Sequence, residues 1–369
     1  QTILETNPFP ASTGMVCNHS CQSKCTRINY ESAIRIRDIK RYIAENVDKI
    51  HQNFSQKLAD KTVAIIGAGP SGLSCGYYLA LMSCRVDVYE TKAFAGGMIA
   101  DAIPDFRLTE YAIEFDIKQI ENIGVNIHYN SKIDANKFEQ LRQENDFVYI
   151  AVGAQKAIQA NIPGQENVKG FLDPLKFLSE VKKRTIAIAE DAENHVVLGK
   201  NVIILGGGNT AMDVARTARR LIGKDEKVTI VYRRTRNEMP AEQSEIDAAL
   251  EENIQLIELA SPANVISEKG KVTALQCHKM KLEHHPDYDR PKPVIIPGKE
   301  FDIPCDTIIP AFGQQLDVDF VDNDLLQTRA ADTLETHLDN VFIGGDANRG
   351  ASFLIKAVAD GKNVAREMM

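Results

Sequence analysis

Two glycine turns carry the chemistry of this chain. The first, Gly67-x-Gly69-x-x-Gly72, follows the apolar run Val63 to Ile66, and a second strand-like run, Val86 to Tyr89, ends on Glu90. Glycines there let the backbone turn tightly and approach a pyrophosphate, while the helix that follows offers free N–H groups and a positive dipole end. An acid closing the second strand accepts hydrogen bonds from a ribose diol. The second turn lies in KNVIILGGGNTAMD, which repeats KTVAIIGAGPSGLS: Gly206 matches Gly67, Gly208 matches Gly69, and Ala211 stands for Gly72. Alanine is small enough for the helix–strand packing that the third position needs. Its second strand, Val228 to Arg234, puts Arg233 where Glu90 stood. Arginine suits a ribose 2′-phosphate, and Arg234 and Arg236 add positive charge. The plainer reading of these arginines is an ordinary basic turn after a strand.

A third group is Cys17, Cys21 and Cys25, spaced C-x3-C-x3-C. Three readings stand: the remnant of an iron–sulfur site, a cramped zinc site with His19, or three free thiols in a compact loop. His284 and His285 lie in a Pro- and Asp-rich stretch without metal-ligand spacing, so exposure to solvent is expected.

These residues need scaffolding. Residues 1–26 read as turn-rich and polar, 31–50 as an amphipathic helix with a solvated basic face, and 51–61 as a linker. After the pair Gly96–Gly97 comes a loop holding Pro104, where Arg107 reads either as facing a phosphate or a flavin or, as a lone Arg, more often as a surface residue. A helix over 110–122, a strand over 125–130 and a strand over 147–154 follow. Residues 241–253 read as a helix, and Ile254 to Ile303 alternates like antiparallel strands. TIIPAFGQQ (307–315) parallels FVYIAVGAQ (147–155). The last strand ends in Gly344–Gly345–Asp346, an acid suited to a polyol, and a helix begins near Ser352.

The chain has 369 residues, enough for two or three domains. Net charge is −8, which argues against nonspecific nucleic-acid binding. No run approaches the roughly 20 apolar residues of a membrane helix, and no signal-peptide pattern opens the chain. Seven cysteines, an odd number, do not form a disulfide framework, so a cytoplasmic setting is expected. Because the chain opens on Gln1 rather than Met, a fragment or processed form is expected. Two dinucleotide units, one ending on an acid and one on a basic cluster, imply a flavin plus NADP(H), with NADH disfavoured.

The motif order IIGAGPSGL, VYE, AGGM, IPDFRL, ILGGGNTAMD, YRRTRNEMP, IIPAFGQ and IGGDANRGASFLIKAVADG resembles the small subunit of glutamate synthase. It is also similar to the N-terminal part of dihydropyrimidine dehydrogenase and to the iron–sulfur subunit of proposed selenate reductases. The resemblance covers nearly the whole chain. It implies an α/β fold with two Rossmann-like dinucleotide-binding domains, the FAD domain being split by an inserted NADPH domain. Expected boundaries are 1–59 for a helical Cys-containing segment, 60–172 with 306–369 for FAD, and 173–305 for NADPH. It implies that Gly67, Gly69, Pro70, Ser71, Gly72 and Glu90 hold FAD, with Gly96, Gly97, Met98, Arg107 and Ile133. Gly345, Asp346, Ser352 and Phe353 complete that set. It gives NADPH to Gly207, Gly208, Asn209, Thr210, Arg233, Arg234 and Arg236, with Ala311, Phe312 and Gly313 where nicotinamide and flavin meet.

Cys17, Cys21 and Cys25 match the family's second cysteine group for [4Fe–4S] clusters. The first group has no counterpart here, and a further ligand position, often Gln or Glu, falls on Lys40. Little or no iron is therefore expected in this chain. The implied activity is hydride transfer from NADPH to FAD, with electrons passing on to clusters, a partner subunit or a downstream domain. No catalytic side chain is expected. The rivals are a disulfide reductase of thioredoxin-reductase type, for which the chain lacks any C-x-x-C pair, and an electron-transfer scaffold inactive alone.

Overall fold

The run Thr62–Ile66 feeds two cores from one strand. In the computed structural model, which describes residues 2–47, 53–185, 198–284 and 290–369, Val63 and Ile65 pack with Leu73, Leu79 and Val358. Ala64 and Ile66 pack on the other face with Phe138, Leu141 and Ile343. A strand apolar from Val63 to Ile66 must be covered on both faces, as parallel strands are. The chain divides into two units, Gln1–Lys156 with Gln314–Met369, and Ala157–Gly313. The divisions expected at 172/173 and 305/306 differ from these, and residues 1–59 belong to the first unit rather than standing apart.

The first unit holds a five-stranded parallel sheet in the order Val341–Ile343, Phe147–Ile150, Thr62–Ile66, Arg85–Tyr89, Val125–His128. Helix Pro70–Ala80 leaves the first glycine turn and packs against the C-terminal helix Leu354–Glu367. The approach is close: a Cβ on Gly361 would lie 2.1 Å from the Ser71 carbonyl oxygen. The Ser74 hydroxyl donates to the Val358 carbonyl at 2.8 Å. That packing brings the end of the chain back to the glycine turn.

Residues 1–26 are less irregular than their composition suggests, because Pro10–Val16 form a buried helix. Pro10 fits its first turn, which lacks backbone partners anyway. The N–H groups of that turn, which lack helical partners, find a buried acid instead. Asp116, on helix Glu110–Glu121, accepts from Ala11 N at 3.1 Å and Ser12 N at 2.7 Å. The expected 31–50 helix spans Ile36–Glu45, and residues 48–52 lie outside the described residues. Its faces are the reverse of expectation. Ile36, Ile39 and Ile43 are exposed, while Ala44 is buried and Lys40 half-buried.

The second unit carries a four-stranded parallel sheet in the order Thr307–Pro310, Asn201–Leu205, Lys227–Tyr232, Gln255–Glu258. Helix Asn209–Leu221 follows the second glycine turn, and Gln243–Glu251 crosses to the edge strand. Gln255–Glu258 is therefore parallel, not antiparallel as alternation suggested, since a helical crossover returns the chain in the same direction. The antiparallel reading holds for Ala260–Glu268, Lys271–Glu283 and Lys292–Pro304, which form a separate three-stranded sheet. His284 is exposed, and His285 lies outside the described residues.

Candidate cofactor sites

In both parallel sheets the strand order reverses beside the strand that enters a glycine turn. In the first unit the reversal falls between Thr62–Ile66 and Phe147–Ile150, and in the second between Asn201–Leu205 and Thr307–Pro310. Diverging connections leave a crevice at the carboxyl ends of such strands.

The first crevice is a cleft of about 390 Å³. Gly67, Gly69, Pro70, Ser71, Glu90, Gly97, Met98, Ile133, Asp346, Ser352 and Phe353 all line it. The three glycines of the turn have different jobs. A Cβ on Gly67, at φ +106°, would meet the Ala151 carbonyl oxygen at 2.6 Å, and one on Gly72 would meet the Gly67 oxygen at 2.1 Å. Both are required by the chain itself. A Cβ on Gly69 would meet nothing nearer than 4.0 Å, so the room it leaves opens into the cleft. That is the space a pyrophosphate needs beside the start of helix Pro70–Ala80.

Glu90 is buried at the end of its strand. Its carboxylate accepts the Ala68 N–H and the Lys92 N–H, each at 2.9 Å. Each oxygen keeps a lone pair for a diol. Asp346 faces the cleft with Oδ1 buried and unpartnered, and burial pushes its carboxyl up to about 6. An orphaned acceptor of this kind marks a place for a donor that the chain does not provide. The N-terminus of helix Leu354–Glu367, without a side-chain cap, opens beside it at Ser352 and Phe353. Cleft, bared glycine, acid and the unpartnered Asp346 oxygen together fit FAD.

Four expected contacts fall outside the lining. Gly72 and Gly345 pack within the chain, the latter with its Cβ direction 2.9 Å from Ser71 Cβ. The Gly96 N–H donates to the Ala68 carbonyl at 2.8 Å. Arg107 is half-buried in a turn closed by its own N–H on the Pro104 carbonyl at 2.9 Å. Sequence reasoning missed Lys92, Lys132, Gln155 and residues 317–320. Lys92, two residues past Glu90, was within reach of the motif. Residues 317–320 carried no signal, because only the chain's path brings them there.

The second turn repeats the first. A Cβ on Gly206 would meet the Ala311 carbonyl oxygen at 2.4 Å, and one on Gly207 the Tyr232 ring at 2.6 Å. Gly208 again faces open space, with its nearest neighbour Pro240 at 4.0 Å. Asn209 is engaged within the chain, its Oδ1 accepting the Glu242 N–H at 2.9 Å. Thr210 is half-buried in the first helical turn. Arg233 is exposed, with no side-chain partner among the described residues. The Arg234 Nε donates to the Pro291 carbonyl at 2.9 Å, and Arg236 pairs with Asp247. Phe312, 41% exposed, and Gly313, at φ +128°, follow Ala311 at the end of the neighbouring strand. Room at Gly208 and a free guanidinium at the strand end fit a dinucleotide bearing a 2′-phosphate.

Among the described residues no group of three or more His, Cys, Asp or Glu is arranged to hold a metal ion. Cys17 and Cys25 are half-buried and Cys21 is exposed. The backbone N–H groups of Ile34 and Arg27 hold the Cys25 thiol below its usual range. Lys40 is lowered by burial, against the pull of Cys17 and Cys21.

Residues 51–361 match the family described as pyridine nucleotide-disulphide oxidoreductase. Residues 1–52 match one described as dihydropyrimidine dehydrogenase domain II, 4Fe-4S cluster. The chain is 34% identical over 384 residues to the NADP(+)-dependent formate dehydrogenase subunit beta of Moorella thermoacetica, covering 95% of this chain and 53% of that protein. It is 29% identical over 382 residues to the glutamate synthase [NADPH] small chain of Halomonas elongata, covering 99% and 80%. Its fold is shared with Mycobacterium tuberculosis FprA, solved in complex with NADPH, at a TM-score of 0.67 and 16% identity over 84% of this chain and 83% of that one. The chain spans little more than half the length of several curated relatives it matches. The chain belongs to the pyridine nucleotide-disulphide oxidoreductase family.

Proposed function

We propose that this chain is the electron-input unit of an NADPH-dependent flavin oxidoreductase, taking a hydride from NADPH and passing electrons to a partner subunit or a further catalytic domain. The observation that carries the reading is the contrast between two equivalent strand ends, buried Glu90 in one unit and free Arg233 in the other. In this reading the unit Gln1–Lys156 with Gln314–Met369 takes FAD, and the unit Ala157–Gly313 takes NADPH. The relatives are named as subunits of a formate dehydrogenase and of glutamate synthase, which supports a redox partner. No helix among the described residues is long and apolar enough to cross a membrane, and a cytoplasmic location belongs to the same reading.

When bound, the flavin supplies two-electron acceptance from a nicotinamide and one-electron release to an acceptor. The chain's residues bind and orient. Gly69 and the helix behind it receive the pyrophosphate, Glu90 the adenosine ribose, and Asp346 a ribityl hydroxyl. The Leu354 helix N-terminus places a positive dipole end at the cleft. Gly208 receives the second pyrophosphate, and Arg233 with Arg234 the 2′-phosphate. Arg236, already paired with Asp247, has less charge to offer. Ala311, Phe312 and Gly313 are assigned to the nicotinamide end.

A disulfide reductase would need a reactive thiol pair beside the flavin. Cys84, Cys277 and Cys305 are instead buried, with burial pushing each thiol up to about 12. The proposal is tested at Arg233. Arg233→Glu should cost about 1.5–3 kcal/mol of NADPH binding and leave NADH nearly unchanged. An unchanged preference between the two would refute the 2′-phosphate assignment.

A further inference from the structure

The turn after strand Lys227–Tyr232 is joined by a second segment, far along the chain. Arg290 is exposed, and its guanidinium donates to the Tyr232 hydroxyl at 3.2 Å and to the Glu238 carbonyl. The next residue, Pro291, offers its carbonyl to Arg234. Two arginines from separate segments are thus drawn to one strand end, beside Arg233. Convergence of like charges on an exposed surface is unfavourable unless an anion is shared. Among the described residues, local acids do not fully answer it. Glu238 is occupied in a capping box with Thr235, Asp247 pairs with Arg236, and the Glu258 carboxylate accepts the Arg236 N–H. The Thr235 hydroxyl chiefly holds the Glu238 carboxyl low, with the Arg290 charge adding to it, yet the Arg290 hydrogen bonds run to neutral oxygens. Among the described residues its bonds use one terminal nitrogen, and the other nitrogen donors of its fork make none.

We propose that Arg290 is a specificity-determining residue for the 2′-phosphate, closing over that group from the side opposite Arg233. This rests on the assignment of a 2′-phosphate to the Arg233 turn. The Tyr232 and Glu238 bonds hold the guanidinium in place before the nucleotide arrives, so little side-chain freedom is lost on binding. The motif alone could not reveal it, because Arg290 belongs to no part of the glycine-turn pattern.

Calorimetric titration of the full chain with 2′,5′-ADP and with 5′-AMP tests this directly. Arg290→Gln removes the charge and leaves a shorter amide donor in its place. It should weaken 2′,5′-ADP on the order of tenfold and leave 5′-AMP unchanged, while Arg290→Lys recovers part of the loss. Equal weakening of both ligands would mean a merely structural role and overturn the proposal, as would no change in either. Arg233→Glu, titrated alongside, separates the two assignments. If it selectively weakens 2′,5′-ADP and Arg290→Gln does not, only the role of Arg290 falls. If neither variant is selective, the 2′-phosphate reading falls with it.

Discussion

At the scale of single residues, the two bared glycines separate ligand space from chain space. Gly69 sits at φ −79°, an ordinary conformation for any residue, and its Cβ direction is open. Gly69→Ala should therefore fold with an unchanged melting temperature and lose most of its bound flavin. Gly72→Ala meets the Gly67 carbonyl at 2.1 Å and should lower the melting temperature first. Equal thermal loss in both variants would contradict the division. Asp346 gives a pH signature. Its carboxyl is raised by burial to about 6, so without ligand it is mostly protonated below that pH. A ribityl hydroxyl donating to the ionised form would tighten as pH rises through about 6. Flavin affinity should climb between about pH 5 and about pH 7 in the wild type and stay flat in Asp346→Asn. Glu90 and Arg233 were legible from sequence because a motif fixes their offset from the glycines. Lys92 needed only one step further, while Arg290 and residues 317–320 were illegible, since nothing in their own neighbourhood records where the chain carries them.

At the scale of elements, strands were read better than the N-terminal helices. Val63–Ile66 and Val202–Leu205 are buried runs whose composition admits little else. Helix Pro10–Val16 was missed because it is short, made mostly of small residues, and stabilised from outside by Asp116. Helix Ile36–Glu45 was expected from its periodicity, but the pattern could not say that its isoleucines remain exposed. Asp116 makes the docking of the first helix pH-dependent. Burial raises its carboxyl to about 7, against 3.8 for the free group. The folded state then binds more protons between those values, so its stability is full below the lower one and falls as pH rises through about 7. Asp116→Asn keeps an acceptor without charge. Its melting temperature should gain on the wild type as pH goes from about 5 to about 8, and a constant gap would count against this account.

At the scale of the whole molecule, the repeat of one nucleotide-binding plan was the most legible feature, and the assignment of the two copies rested on one position in each. The partition of the chain was less legible. Observed units divide at 156/157 and 313/314, inside stretches that read as smooth strand-to-loop runs. With three cysteines of the second group and Lys40 at the further ligand position, the isolated chain is expected to contain well under the roughly four irons of a complete cluster. Iron analysis at or above that level would overturn the expectation. The central claim, that this chain accepts a hydride from NADPH into a bound flavin, meets its most direct test in anaerobic rapid mixing of FAD-loaded protein with NADPH or NADH. The account predicts bleaching of the visible flavin band, faster with NADPH than with an equal concentration of NADH. A protein that takes up no FAD, or a bound flavin that NADPH leaves oxidised, would contradict it.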